Sequence, residues 1–221
     1  MKKIILGVIL LMVVFSCQNE EKATVEQPQT SQPVTLHQDT FQALMSMDDA
    51  QVFVIDTAKS EIAWHCEQHK GLVDLKHGFV FVRKDVPVGA YAEALTKTAR
   101  DTSISYQLMK GTFNNVLQTA DFFDGAHYPL LKFKTTDIQR KNDRFWVSGQ
   151  LSIRNVGQPI QFELASFRKK GNQLSLETQE IPINRTLFGM NANSRSFPQK
   201  AKDFIFSDTF YVKIVLFAEA K

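Results

Sequence analysis

His65 and His69 stand four residues apart in "WHCEQHKG" (Trp64–Gly71), with Cys66 and Glu67 between them. Imidazole, thiolate and carboxylate are zinc ligands, and on a helix this spacing would set both histidines on one face. The order differs from the His-Glu-x-x-His of a zinc hydrolase, because the glutamate is third rather than second. The neighbours also point elsewhere. Ile62, Trp64 and Cys66 alternate with Ala63, His65 and Glu67, which predicts a strand. Residues four apart on one strand lie about 13 Å apart, too far for both to bind one zinc at about 2 Å. A metal-dependent enzyme using the His65/Glu67/His69 region is therefore the alternative reading, and no metal ligand is assigned.

Two other groups carry charge in apolar company. Asp121 and Asp124 flank Phe122-Phe123. Paired carboxylates can do acid–base work, but aspartates beside a turn more often accept loose backbone N–H groups. Arg185 lies in "INRTLFGM" (Ile183–Met190). A buried arginine needs an acceptor, and Asp121 or Asp124 serves as well as a ligand phosphate. No Gly-x-Ser-x-Gly and no glycine-rich phosphate loop occurs. We assign no catalytic residue and expect no cofactor.

The elements that must position these residues alternate with period two from Gln51 onward. Val73, Leu75, His77, Phe79 and Phe81 share one parity. Phe133 alternates with lysines, Phe145 and Val147 begin a longer alternating run, and Phe162 lies between Ile160 and Leu164. These are half-buried antiparallel strands joined by turns at 141–143, 155–159 and 170–172. Residues 103–124 instead show helical spacing, weakened at Gly111. Short connections favour a meander of about eight strands with one short helical insertion, closed into an antiparallel barrel wide enough to hold one ligand. The apolar strand faces make Val73, Leu75, His77, Phe79, Phe81, Phe133, Phe145, Val147 and Phe162 the candidate cavity lining. Val215 and Phe217, opposite the inward face of the last strand, are candidates for contact with the insertion or a partner, which keeps a structural or partner-docking barrel as a further alternative.

The N-terminus carries an address. Lys2-Lys3 precede an apolar run from Ile4 to Phe15, too short to span a bilayer. The following Ser16-Cys17 resembles a bacterial lipobox, which implies a signal peptide over 1–16 and lipidation of Cys17. Residues 17–50 then form the lipidated cysteine, a polar tether and a short helix near Asp39, and residues 51–221 the barrel. Some twenty tether residues reach roughly 70 Å when extended. The expected location is the cell envelope, lipid-anchored, periplasmic or outer-membrane associated. With Cys17 lipidated, Cys66 has no disulfide partner. The net charge of +3 falls to +1 without Lys2 and Lys3, and no basic block remains for nucleic acid.

Several segments together resemble the YceI-like lipid- and polyisoprenoid-binding domains. "ADFFDGAHYPLLKFKTT" (Ala120–Thr136) carries the most specific pattern. "VSGQLSIRNVGQPIQFEL" (Val147–Leu164), "INRTLFGM" and "DTAKSEIAWHCEQHKG" (Asp56–Gly71) are similar to further family motifs, His69-Lys70-Gly71 included. The chain departs in two places: Glu93-Ala94 replace a family strand pattern, and Asn155 replaces a hairpin glycine. The resemblance implies a lipocalin-like barrel with an apolar channel for a long isoprenoid or other lipid chain, held without catalysis. It singles out His69 and Arg185, with Asp121 and Asp124, as head-group or structural polar residues.

Overall fold

The computed structural model describes residues 49–198 and 205–221. Twelve strands are present there: β1 (Gln51–Ile55), β2 (Glu61–Cys66), β3 (His69–Val73), β4 (Leu75–Arg83), β5 (Val86–Leu95), β6 (Arg100–Asp101), β7 (Leu130–Lys141), β8 (Arg144–Ile153), β9 (Val156–Lys170), β10 (Gln173–Thr178), β11 (Ile181–Asn184) and β12 (Thr209–Ala220). One α-helix, α1 (Gln107–Leu117), interrupts them. It runs through Gly111, whose missing side chain leaves open space. The lipidation expected at Cys17, the expected signal segment and tether, and the short helix expected near Asp39 fall outside the described residues.

Eight strands close the barrel, in the order β1-β4-β5-β7-β8-β9-β10-β12 and back to β1, all antiparallel. Closure removes the exposed edges that an open sheet would leave. β12 spans both ends of the wall. Its C-terminal half pairs with β10 and β1, and its N-terminal half with β11 and β2. The β2–β3 hairpin continues into the two-residue β6. Helix α1 covers this end. Asn114 Oδ1 accepts from the Asp101 backbone N–H at 2.8 Å, and Gln118 donates to the carbonyls of Thr96 and Ala99.

The hairpin turns are short because their residues take positive φ: Lys84-Asp85, Asn142-Asp143 and Arg154-Asn155. Two such residues in a row match the twist of the flanking strands. The third turn corrects the expected boundary, since residues 156–159 already belong to β9.

Of the four register shifts in the wall, those on β4 after Leu75 and on β7 after Thr135 bear most on which side chains face inward. On β4 the pairing passes from Leu75↔Ala94 to His77↔Glu93, so two residues oppose one and the parity reverses. Leu75 faces inward, then Gly78, Val80 and Val82; His77 and Phe79 face outward. On β7 a second bulge follows Thr135. Threonine hydroxyls serve the ladder near such irregularities: Thr135 Oγ1 accepts from Ala90 N, and Thr178 Oγ1 accepts from Ile214 N.

The interior is filled unevenly. At the end carrying the β7–β8 turn, Phe53, Val82, Leu174 and Ala218 are buried, and Phe145 packs edge-on against Phe167 at 5.5 Å. The middle and the helix-covered end enclose a cavity.

Candidate ligand-binding cavity

The cavity has a volume of about 220 Å³ and a wall that is almost entirely hydrocarbon. β8 supplies Val147, Leu151 and Ile153, β9 supplies Ile160, Phe162 and Leu164, and β12 supplies Val212, Ile214 and Leu216. Ten-residue wall strands, rising about 3.3 Å per residue and tilted about 40°, cover roughly 25 Å of barrel axis. Glycines create part of this space. A Cβ on Gly149 would fall 2.4 Å from the Phe133 ring, and one on Gly71 would fall 2.4 Å from the Trp64 ring. Each aromatic lies flat across a glycine on the neighbouring strand.

Of the expected lining, Val73, Leu75, Phe133, Val147 and Phe162 stand on the cavity wall. His77, Phe79 and Phe81 do not, because the bulge after Leu75 turns them away. Phe79 instead pairs with Val54 and Tyr91, and Val54 is exposed. Phe81 is fully buried on the side of β4 opposite Val80. Phe145 keeps the inward parity but lies beyond the cavity in the packed end.

His65 and His69 separate more completely than a single strand predicts. A two-residue turn, with Glu67 at φ 54°, puts them on adjacent strands and opposite faces. His65 faces out, stacked on Tyr211 and 3.1 Å from Glu180. His69 faces in. Its Nδ1 lies 2.8 Å from Asp101 Oδ2, and its ring stacks on Phe113 of α1 at 4.4 Å. Asp101 also accepts from Ser103 and Ile104, and these bonds hold its carboxyl below the ordinary range against the effect of burial. Nδ1 therefore donates, and in the neutral ring Nε2 is left as an acceptor.

Cys66 is the register partner of His69 and shares the cavity wall, so the hairpin sets a thiol opposite an aspartate-paired imidazole. The pair lacks the features of an activated nucleophile. Cys66 Sγ donates to the Thr209 carbonyl at 3.7 Å, and burial, with Glu67 nearby, pushes the thiol pKa up.

Arg185 begins a short 3-10 turn after β11 and is 5% exposed. Its Nε donates to Ser207 O, and Nη1 donates to the carbonyls of Met190 and Ala192. Its nearest carboxylate is neither Asp121 nor Asp124 but Asp208, with Oδ1 3.8 Å from Nη2. Asp208 spends its acceptors on Ser194 and Ser196. Asp124 serves a turn: its carboxylate meets His127 at 2.8 Å and its carbonyl accepts from the N–H groups of His127 and Tyr128. Neither Asp121 nor Asp124 is on the cavity wall.

The residues that periodicity missed cluster at this end. Phe206 stands edge-on to Phe113, Phe122 and His69, and Phe122 also faces the Arg185 guanidinium at 5.9 Å. The Phe122-Phe123 pair was visible in the sequence, and both line the cavity. Asp208 and Asp101 were not, since each acts across the fold.

A family model for the YceI-like domain matches residues 53–218. Among solved structures, the chain is similar to that of BcnA from Burkholderia cenocepacia, at 18% identity and a TM-score of 0.59, covering 74% of this chain and 99% of that one. It is also similar to a structure described as a polyisoprenoid binding domain from Saccharophagus degradans implicated in plant cell wall breakdown. There the identity is 15% and the TM-score 0.55, covering 77% of this chain and 99% of that one. At these identities the likeness concerns the fold. No curated protein matches the sequence.

Proposed function

The chain belongs to the YceI-like domain family, and from that premise we propose that its barrel binds the long apolar chain of a lipid or polyisoprenoid, for carriage, storage or protection. The observation that carries this reading is the hydrocarbon-walled cavity inside a closed barrel. The polyisoprenoid-binding description of the Saccharophagus structure agrees with it. Each methylene moved from water into such a wall contributes about 0.8 kcal/mol before ordering costs. Selectivity for chain length is then modest, because one methylene more or less, at about 0.8 kcal/mol, changes affinity only about fourfold. No bond-making step is part of the proposal. The raised thiol pKa of Cys66 and the structural duty of Asp124 support that view.

We place the protein at the cell envelope through lipidation of Cys17, with the polar tether from Gln18 to about Gln38 behind it. Replacing Cys17 with serine should move the protein from the membrane fraction to the soluble fraction.

Mass spectrometry of an organic extract of natively purified protein tests the binding reading. A stoichiometric long-chain lipid is expected. An empty extract, together with no uptake of added polyprenols, would overturn it.

A further inference from the structure

Ten large hydrophobic side chains are exposed among the described residues, and they are not spread evenly. The three most exposed are Leu108 at 71%, Tyr106 at 64% and Met109 at 61%, and all three stand at the start of α1. Val116 is exposed farther along the helix. Leu187 and Ile205 join them at the same end of the barrel. The Leu187 carbonyl accepts from Gln158 near the start of β9, and Ile205 precedes Phe206, which stands edge-on to Phe113 of α1. A lone exposed apolar side chain needs no explanation, but a cluster marks an interaction surface.

Helical spacing sorts α1 into two faces. Phe113 and Leu117 line the cavity. Leu108, Met109, Thr112 and Val116, three and four residues apart, form a stripe on the side turned away from it. Thr112 Oγ1 donates back to the Leu108 carbonyl at 3.0 Å, so its hydroxyl is used within the helix. Gln107 and Asn115 border the stripe. One helix thickness thus separates the outer apolar stripe from the cavity.

Three observations choose the occupant. The stripe carries no group that selects a partner by direction. Between Asp101, which is fully buried, and Asp121 the chain holds Lys110 and no carboxylate, so the helix does not repel a phospholipid head-group layer. The anchor also permits the approach. Asp49 pairs with Arg83 at the packed end, and the tether's roughly 70 Å outreaches the roughly 25 Å of the wall, so the α1 end can turn onto the bilayer that holds the chain.

We propose that the α1 end of the barrel is a membrane-docking face, on which Leu108, Met109 and Val116, flanked by Tyr106, enter the outer layer of a phospholipid bilayer. Docking sets the helix-covered end of the cavity against the source of its ligand, and a lipid chain then moves between bilayer and barrel with less of its length crossing water. This purpose rests on the reading of the barrel as a lipid site; the docking does not.

Quenching by brominated lipid tests the docking. The full chain carrying Leu108→Trp is mixed with phosphatidylcholine vesicles whose acyl chains are brominated, and the emission of Trp64 and Trp146 is subtracted with the unaltered chain. The added indole should shift to the blue and be quenched, whereas the indole of Val86→Trp, at the packed end, should not. This readout is local to α1 and independent of how the N-terminus is held. An unquenched Leu108→Trp would overturn the proposal, and so would equal quenching at the two positions. Without vesicles, Leu108→Ser should leave the oligomeric state unchanged in sedimentation; a dimer that becomes a monomer would give the face to a second copy and overturn it too. Exchange tests the purpose. The double variant Leu108→Ser, Met109→Ser should slow transfer of a fluorescent apolar probe from vesicles into the barrel by about tenfold, while affinity for the probe added without vesicles stays within about twofold. Unchanged transfer would overturn the proposal and leave the lipid reading standing. No probe uptake by either chain would remove the lipid reading, and the quenching alone would then decide the docking.

Discussion

Glu93 and Arg185 are both buried charges on this barrel, one on the outer face of the wall and one on the inner, and their surroundings differ in one respect. Glu93 is 7% exposed and saturated. Tyr91 Oη donates to Oε1 at 2.6 Å, Lys76 Nζ and His77 Nε2 lie 3.1 Å from Oε2, and Lys132 Nζ is 3.8 Å from Oε1. These partners come from β4, β5 and β7, so the carboxylate fastens three adjacent strands where the β4 bulge disturbs the ladder. The carboxylate in turn pushes the Tyr91 phenol well above its usual pKa, together with burial. Arg185 is buried to the same degree, yet its Nη2 has no hydrogen-bond partner among the described residues, with Asp208 Oδ1 3.8 Å away. A charge whose every valence is used within the fold explains itself by stability. A charge with one nitrogen left unbonded gives up part of that stability, and Arg185 recovers it through the three carbonyls its other nitrogens hold.

The comparison breaks most sharply under truncation. Arg185→Ala orphans the carbonyls of Ser207, Met190 and Ala192 and leaves Asp208 without its cation, at a cost of about 3–5 kcal/mol in unfolding free energy. Denaturant titration measures it. Bound lipid should recover little of that loss, because the lost bonds are internal. Glu93→Gln keeps an acceptor for Tyr91 but removes the charge, and about 2 kcal/mol is expected, since Lys76 and His77 are partly in water. Ligand affinity should stay within about twofold in Glu93→Gln, because a hydrogen-bonding valence on the outer face contributes nothing inside. A large affinity loss there would erase the distinction between the two sites.

Acid sharpens it next. The Tyr91, Lys76 and His77 contacts outweigh burial and hold the Glu93 carboxyl below its ordinary value. Between the unfolded and folded pKa values the unfolded chain binds more protons, so stability rises with pH there. The contribution is complete above about pH 4.3, the unfolded value, and is lost as pH falls through the lower folded one. Asp101 and Asp208 are lowered as well and act in the same direction. The difference between wild type and Glu93→Gln should therefore shrink as pH drops below about 4 in chemical denaturation. A difference that stays constant into strong acid would assign the Glu93 effect to packing rather than charge.

The alternation of β8, β9 and β12 was legible in sequence because no bulge interrupts the stretches that face the cavity, and the barrel follows from those strands and their short turns. The family motifs led to the same fold from other residues. The polar end was half legible. Arg185 and His69 stood out, but their partners Asp208 and Asp101 are 23 and 32 positions away, and only the closed wall brings them together. Phe145 shows a different limit. Its parity is right, but parity cannot tell a side chain that lines a hollow from one that plugs the end.

β4 shows why parity needs a continuous ladder, and it supplies the smallest effect. Counting by twos from Leu75 makes His77, Phe79 and Phe81 inward. One extra residue at the bulge hands that face to Gly78, Val80 and Val82. Phe79 belongs to an outward row with Val54 and Tyr91. Phe79→Ala removes a half-buried ring there, so a loss of about 1 kcal/mol in stability is expected, well short of a core phenylalanine. Probe affinity should change by less than about twofold, whereas Phe133→Ala, which strips a ring from the cavity wall, should weaken it by about fivefold or more. A Phe79→Ala variant that loses probe binding as Phe133→Ala does would place the ring back inside the barrel. The bulge would then have to lie beyond Phe79, and with it the outward position of the Glu93 cluster would fall.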